Sequence, residues 1–139
     1  MPSARCARTR WHETLHQSSP RTRQRGSMLT PGDVVELDLG VPAGSEAGLR
    51  RPAIVVTAAR VLRGGPNVVQ VVPLTRTQRD SSTEVSIDPD EDNRLVARSS
   101  AQCQHVRSVA TTRIHDRTGN IGPVALNEVR ETLALLLDL

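Results

Sequence analysis

From Thr30 onward the chain alternates short apolar runs with turn signals, a rhythm that predicts strands rather than long helices. Pro31-Gly32-Asp33 marks a turn, after which Val35, Leu37 and Leu39 alternate with Glu36 and Asp38, the period of a half-buried strand. Gly40 to Gly48 predicts a loop, and Pro52 to Thr57 a central strand whose first proline sits where no ladder N–H is required. After a break at Gly64-Gly65-Pro66-Asn67, strands are expected over Val68 to Leu74 and Glu84 to Ile87, followed by an acidic turn from Asp88 to Asp92. Leu95 to Ala97 and Ala101 to Val109 predict further strand, the second with Cys103, His105 and Arg107 on one face; Ile114 to Ile121 is expected to be short and turn-like.

The period changes only at the end. Pro123 suits a first helical turn, and Leu126, Val129, Leu133, Leu136 and Leu137 then fall at helical spacing while Asn127, Glu128, Arg130 and Glu131 face away. Five or six strands and one closing helix predict a mainly β fold, a small curled barrel or sheet capped by a C-terminal helix. Aromatic residues make up 1% of the chain, so Val, Leu and Ile must fill its core.

Residues 1–27 break this picture: Arg, Ser, Thr, Pro and Gln predominate without apolar periodicity, which predicts a disordered arm followed by a domain over residues 28–139. Met28 is a candidate internal start, which would make the arm an upstream extension. His12-Glu13-Thr14-Leu15-His16 matches the zinc-binding HExxH pattern, but Pro20 follows at once, so it is read as a chance match and no metal or cofactor is expected. No apolar run approaches the roughly 18 residues of a membrane span, and the arm lacks a signal peptide's apolar middle, so the expected location is the cytoplasm. Cys6 and Cys103 are too few and too far apart for a disulfide framework or a zinc ribbon.

Charge sharpens the reading. All 18 basic residues are Arg; six lie before Met28 against the single acid Glu13, and the remaining 12 face 14 acids, so the net charge of +3 divides into +5 for the arm and −2 for the rest. A nucleic-acid site in the domain must therefore come from local arginine clustering rather than bulk charge.

Arg51 stands at the mouth of one expected strand and Thr75 at the end of the next. If those strands are neighbours, a guanidinium and a hydroxyl share one side of the sheet, a pairing suited to phosphate: planar N–H donors with a permanent charge, plus a short hydrogen bond. The plainer alternative pairs Arg51 with Glu46 on the surface and lets Thr75 cap a turn. Ser45 and Glu46 occupy the loop before Arg51, where a carboxylate could assist proton transfer or simply hold the arginine. His105 is read as a structural histidine of a core strand and His115 as a bystander.

Pro31-Gly32-Asp33-Val34-Val35, Gly44-Ser45-Glu46 running to Arg51-Pro52-Ala53-Ile54-Val55-Val56, Val72-Pro73-Leu74-Thr75, His105-Val106-Arg107-Ser108-Val109 and the leucine-rich closing helix together resemble the MazF/PemK toxins of bacterial toxin–antitoxin pairs. The resemblance covers residues 28–139 in the family's order. It implies an SH3-like β-barrel closed by a C-terminal helix, a homodimer, and a metal-independent, sequence-selective endoribonuclease acting on single-stranded RNA (mRNA, with rRNA and tRNA as further candidates). It also implies a MazE-like antitoxin whose tail occupies the RNA groove. By position Arg51 and Thr75 match the catalytic Arg and Thr, and Glu46 a loop acid near the groove; Ser45, Arg50, Arg76, Arg79 and Arg107 are then expected to contact RNA. Gln104-His105 departs from the acidic or amide pair common in the family, a difference that bears on RNA preference or the dimer surface. Two alternatives stay open: a gyrase-inhibiting toxin of the same fold, which would need no Arg51–Thr75 pair, and a relative that binds RNA without cutting it.

Overall fold

The computed structural model describes residues 28–38 and 50–139. Seven strands appear in the order β1 (Asp33–Asp38), β2 (Arg50–Val55), β3 (Val68–Thr75), β4 (Glu84–Ile87), β5 (Ser99–Gln102), β6 (Arg107–Ala110) and β7 (Ile114–Asn120). A short helix α1 (Ala59–Leu62) follows β2, and α2 (Gly122–Leu137) closes the chain. All strand pairs are antiparallel, along a path β4-β5-β3-β2-β1-β7 with β6 also paired to β3. The expected barrel is thus a curled-sheet fold whose path does not close. No helix among the described residues is long and apolar enough to cross a membrane.

The strands carry a core on each face. Val34, Ile54, Val72 and Leu74 join Val85, Ile87, Ala101 and Cys103 beneath Leu126 and Val129 of α2. Val35, Leu37, Ala53, Val55, Val69 and Val71 point the other way and pack with Leu62 of α1 and Val109. Side chains alternate sides along a strand, so β1 buries both parities and is not the half-buried strand its alternation suggests, whereas β2 buries both at Ala53–Val55 as expected of a central strand. The turn into β1 forms as its sequence predicts: Gly32 adopts φ +88° and donates its N–H to the Val55 carbonyl at 2.7 Å, and buried Asp33 accepts the Thr30 N–H and hydroxyl, each at 2.7 Å.

Several expectations are corrected. The single strand over Ala101 to Val109 is two strands separated by a 3-10 turn at Cys103–His105. The interruption has a topological reason: β6 pairs with the first half of β3 (Val68 to Val71), β5 with its end (Leu74 and Thr75), and the turn carries the chain from one to the other. Cys103 and His105 consequently do not share a face. Cys103 is buried in the core and His105 is exposed, not a core histidine.

Leu95 to Ala97 is no strand; buried Asn93 shapes that bend by accepting the Leu95 and Asp90 N–H groups and donating to the Asp88 carbonyl. The segment expected to be turn-like, Ile114 to Ile121, is mostly the seven-residue strand β7, which pairs with β1 across two register shifts. Its polarity reflects an edge position. Gly119 presses so closely on the Asp92–Asn93 backbone that an added Cβ would lie 2.5 Å from the Asp92 carbonyl oxygen. Helix α1 had no counterpart in the sequence reading. In α2, Leu126 and Val129 are buried and Leu133 is partly so, but Leu136 and Leu137 are exposed rather than continuing the inward stripe.

Candidate active site

Strand register brings Arg51 and Thr75 together. Ala53 pairs with Pro73 and Ile54 with Val72, and continuing that register by one pleat sets Arg51 across from Thr75. Arg51 also pairs with Leu37 of β1, and Thr75 with Ser100 of β5. One row therefore runs Leu37, Arg51, Thr75, Ser100 and Ser86, on the sheet face that buries Ala53, Val55 and Val71 farther along. The pair lies where that face emerges from its core, with Arg51 exposed and Thr75 half-buried.

The two arginines of the doublet separate. Arg50 belongs to the opposite face, where its guanidinium bonds His115 Nε2 at 3.0 Å and approaches Glu36 at 3.9 Å. Arg51 makes no ion pair or hydrogen bond among the described residues, and its side chain is exposed. Thr75 Oγ1 accepts the Thr77 N–H at 3.2 Å, the turn-capping contact of the plainer alternative. That bond uses an oxygen lone pair and leaves the hydroxyl proton to donate. Ser45 and Glu46 lie outside the described residues, as do the arm and its HExxH match.

Of the other arginines expected to meet RNA, Arg76 is exposed directly beyond Thr75, and Arg79 lies at Glu84, NH1 to Oε2 3.4 Å. Arg107 pairs across β6 with Val71, on the same face as Thr75 but four residues back along β3, about 13 Å away.

Sequence reasoning missed the polar floor beside the pair. Gln78 accepts hydroxyl hydrogens from Ser100 at 3.1 Å and Ser86 at 3.4 Å, and its amide donates to the Arg76 and Arg98 carbonyls, both at 3.3 Å. This one side chain fastens the loop after Thr75 to β4 and β5. The only sequence signal was the polar pair Ser99-Ser100 next to an apolar stretch. The site is a surface strip rather than a pocket: a cavity of about 660 Å³ lies elsewhere, between α1 and α2, lined by residues such as Val56, Ala58, Pro123 and Leu126. A polymer laid across the sheet suits this shape better than a small enclosed molecule.

Comparison with known proteins agrees with this geometry. Residues 30–137 match the family model described as the PemK-like, MazF-like toxin of type II toxin–antitoxin systems. Endoribonuclease MazF9 of Mycobacterium tuberculosis is 32% identical over 124 residues, covering 81% of this chain and 98% of the relative. Among solved structures, MazF from Deinococcus radiodurans is 28% identical with a TM-score of 0.66, covering 82% of this chain and 100% of its own. A MazE–MazF structure from the same organism is 27% identical with a TM-score of 0.68, covering 82% and 99%. Strand order, the Arg51–Thr75 row and a family match over nearly the whole described region lead to one assignment: the chain belongs to the PemK/MazF family of type II toxin–antitoxin toxins.

Proposed function

We propose that this toxin, an endoribonuclease of the MazF type, cuts single-stranded RNA by in-line attack of a ribose 2′-OH on the adjacent phosphorus. The O2′–P bond forms and the P–O5′ bond breaks, giving a 2′,3′-cyclic phosphate and a 5′-OH; no metal or cofactor takes part. The observation that carries this reading is the cross-strand placement of Arg51 and Thr75 on one open face. Because the RNA supplies its own nucleophile, the protein must stabilise a pentacovalent dianion and manage protons. Arg51, charged at all working pH values, is a poor base and a strong stabiliser of that charge; it donates a hydrogen bond to the leaving 5′-oxygen, which takes its proton from water. Thr75 donates its hydroxyl to a phosphate oxygen while the Thr77 N–H fixes its rotamer.

Glu46, five residues before Arg51, is the loop acid of the same site, either accepting the 2′-proton or orienting Arg51. Ser45, Arg76, Arg79 and Arg107 are assigned to RNA contacts at this strip, with Arg107 on a neighbouring phosphate, while Arg50, turned to the opposite face, meets RNA only at its periphery. The toxin domain occupies residues 28–139, acts in the cytoplasm as a homodimer, and is neutralised by a cognate antitoxin laid over the same strip. The solved MazE–MazF structure of the Deinococcus radiodurans relative supports a MazE-type partner.

A long RNA incubated with the protein in EDTA, with its ends mapped, tests the reading. Expected are cuts at a recurring short word with 5′-OH termini, and a roughly 10²- to 10³-fold loss for a folded Arg51→Ala protein. Intact RNA, or undiminished cutting by folded Arg51→Ala, refutes it.

A further inference from the structure

One row along from the Arg51–Thr75 row, the same sheet face carries a carboxylate with an unused oxygen. Glu84 pairs with Gln102 on β5, and Val85 and Ile87 point into the opposite core, so Glu84 and Ser86 share the face of Ser100 and Thr75. The Glu84 side chain is only 3% exposed. Its Oε2 accepts from Gln104 Nε2 at 2.8 Å and from Arg79 NH1 at 3.4 Å, whereas Oε1 is buried with no hydrogen-bond partner among the described residues. A buried acceptor left empty is costly to a fold, and structural carboxylates normally fill both oxygens.

The surroundings hold the carboxylate still. Gln104 is fixed at its other end by the Thr83 hydroxyl, 3.1 Å from its Oε1, and Thr83 is bonded in turn to Ser81 at 2.9 Å. The nearest thiol offers no relief, because Cys103 Sγ is directed at the Val129 carbonyl, 3.9 Å away. The one mobile partner is Arg79, half exposed on its loop beside Asp80, whose φ of +53° marks a tight turn. Its long contact to Glu84 is one that a phosphate would compete for successfully, since guanidinium–phosphate pairing is bidentate.

We propose that Glu84 is a base-reading residue of the RNA strip: Oε1 accepts an N–H from the exocyclic amine of a nucleobase flanking the cut, while Arg79 turns to that nucleotide's phosphate. Single-stranded RNA displays its base edges to such groups, and an ionised carboxylate can only accept. The subsite takes guanine, adenine or cytosine through that amine; uracil has no exocyclic amine and offers only its ring N3–H, set back from the base edge, so it is disfavoured. This rests on the endoribonuclease reading above and adds a specificity determinant to it. Gln104, exposed and bonded to the same carboxylate, is a positioning residue.

The test uses the wild-type protein first. Once its cleavage word is known, each amine-bearing base is replaced singly by its deaminated counterpart: hypoxanthine for guanine, purine for adenine, 4-deamino-pyrimidinone for cytosine. At one position the substitution is expected to lower kcat/KM at least tenfold, the effect of leaving a charged acceptor unpaired. Glu84→Gln is then expected to lose that discrimination, cutting parent and analogue within about threefold of each other, whereas a purely structural role would lower cutting of both alike. If no deamination matters, or if folded Glu84→Gln keeps the discrimination, the assignment to Glu84 fails while the enzyme reading stands. Failure of the wild-type protein to cut any RNA overturns both.

Discussion

Alkaline pH offers an unusually clean perturbation of this fold, because the chain has no Tyr and its basic residues are all Arg. Between pH 9 and 11 a typical protein titrates lysines and tyrosines together; here the thiols are the side chains that ionise in that range. Cys103 is fully buried against α2, and its pKa is pushed from 9.0 up to about 11, chiefly by burial and further by the negative charge of Glu84, against a lowering backbone hydrogen bond. A raised folded pKa means the unfolded state releases its proton first. The stabilisation is thus complete below pH 9 and is lost as pH climbs toward about 11.

At pH 10 an unfolded thiol is about ten-elevenths ionised and the folded one about one-eleventh, a tenfold bias toward unfolding, or about 1.4 kcal/mol. For a domain of this size that corresponds to a fall in melting temperature of roughly 5 °C or more. The assay is thermal melting of reduced protein at pH 8, 9, 10 and 10.5, beside Cys103→Ala. The variant is expected to start lower, because it opens a cavity, but to lose markedly less over the same range. Parallel losses in the two proteins would refute the assignment. Glu84→Gln supplies an internal check: removing its charge should move the Cys103 transition to lower pH.

Thr75→Val should keep the fold and cut RNA about 10- to 100-fold more slowly, measured as initial rates on a fluorogenic oligonucleotide; an unchanged rate would remove the hydroxyl from the mechanism. Gln78→Ala removes the bonds that tie the loop after Thr75 to β4 and β5, and is expected to raise KM more than it lowers kcat, with a small change in melting temperature. Gly119→Ala should destabilise by about 3 kcal/mol or more in urea titration, since the new Cβ meets backbone rather than a movable side chain; a loss under 1 kcal/mol would contradict the close packing of β7 on the Asp92–Asn93 turn. Exposed Arg50→Ala, on the face opposite Arg51, is expected to slow cleavage far less than Arg51→Ala, and equal losses would contradict the division of the doublet between faces.

Much of the site was legible because its parts sit at strand ends. Strand β2 begins at Arg50, two residues ahead of the proline that the apolar run suggests as its start, while Pro73-Leu74-Thr75 does mark the end of β3; the register between Ala53 and Pro73, continued by one pleat, sets Arg51 across from Thr75. The rest depended on which elements share a face, and that is set by tertiary pairing. All of Ser99 to Gln102 is buried, so β5 shows no alternation to read. Strand β7 looks like a turn because its polarity suits a sheet edge, and its pairing with β1 comes from backbone groups and the Asn120 amide, which donates to Asp33 Oδ1 at 2.9 Å and the Pro31 carbonyl at 3.1 Å. Glu84 read as the first residue of a strand; nothing local signals that one of its oxygens is left empty. His105 was misplaced because an apolar–polar alternation continued straight through a change of strand partner.

The spacing between guanidinium and hydroxyl is held by the ladder joining β2 to β3, whose buried Ala53, Ile54, Val71 and Val72 resist any slip of register. The loops that would touch bases hang from the ends of those strands and take no part in the ladder. Under the proposed chemistry, residues outside this ladder are free to drift and change which RNA words are cut while Arg51 and Thr75 keep a constant separation.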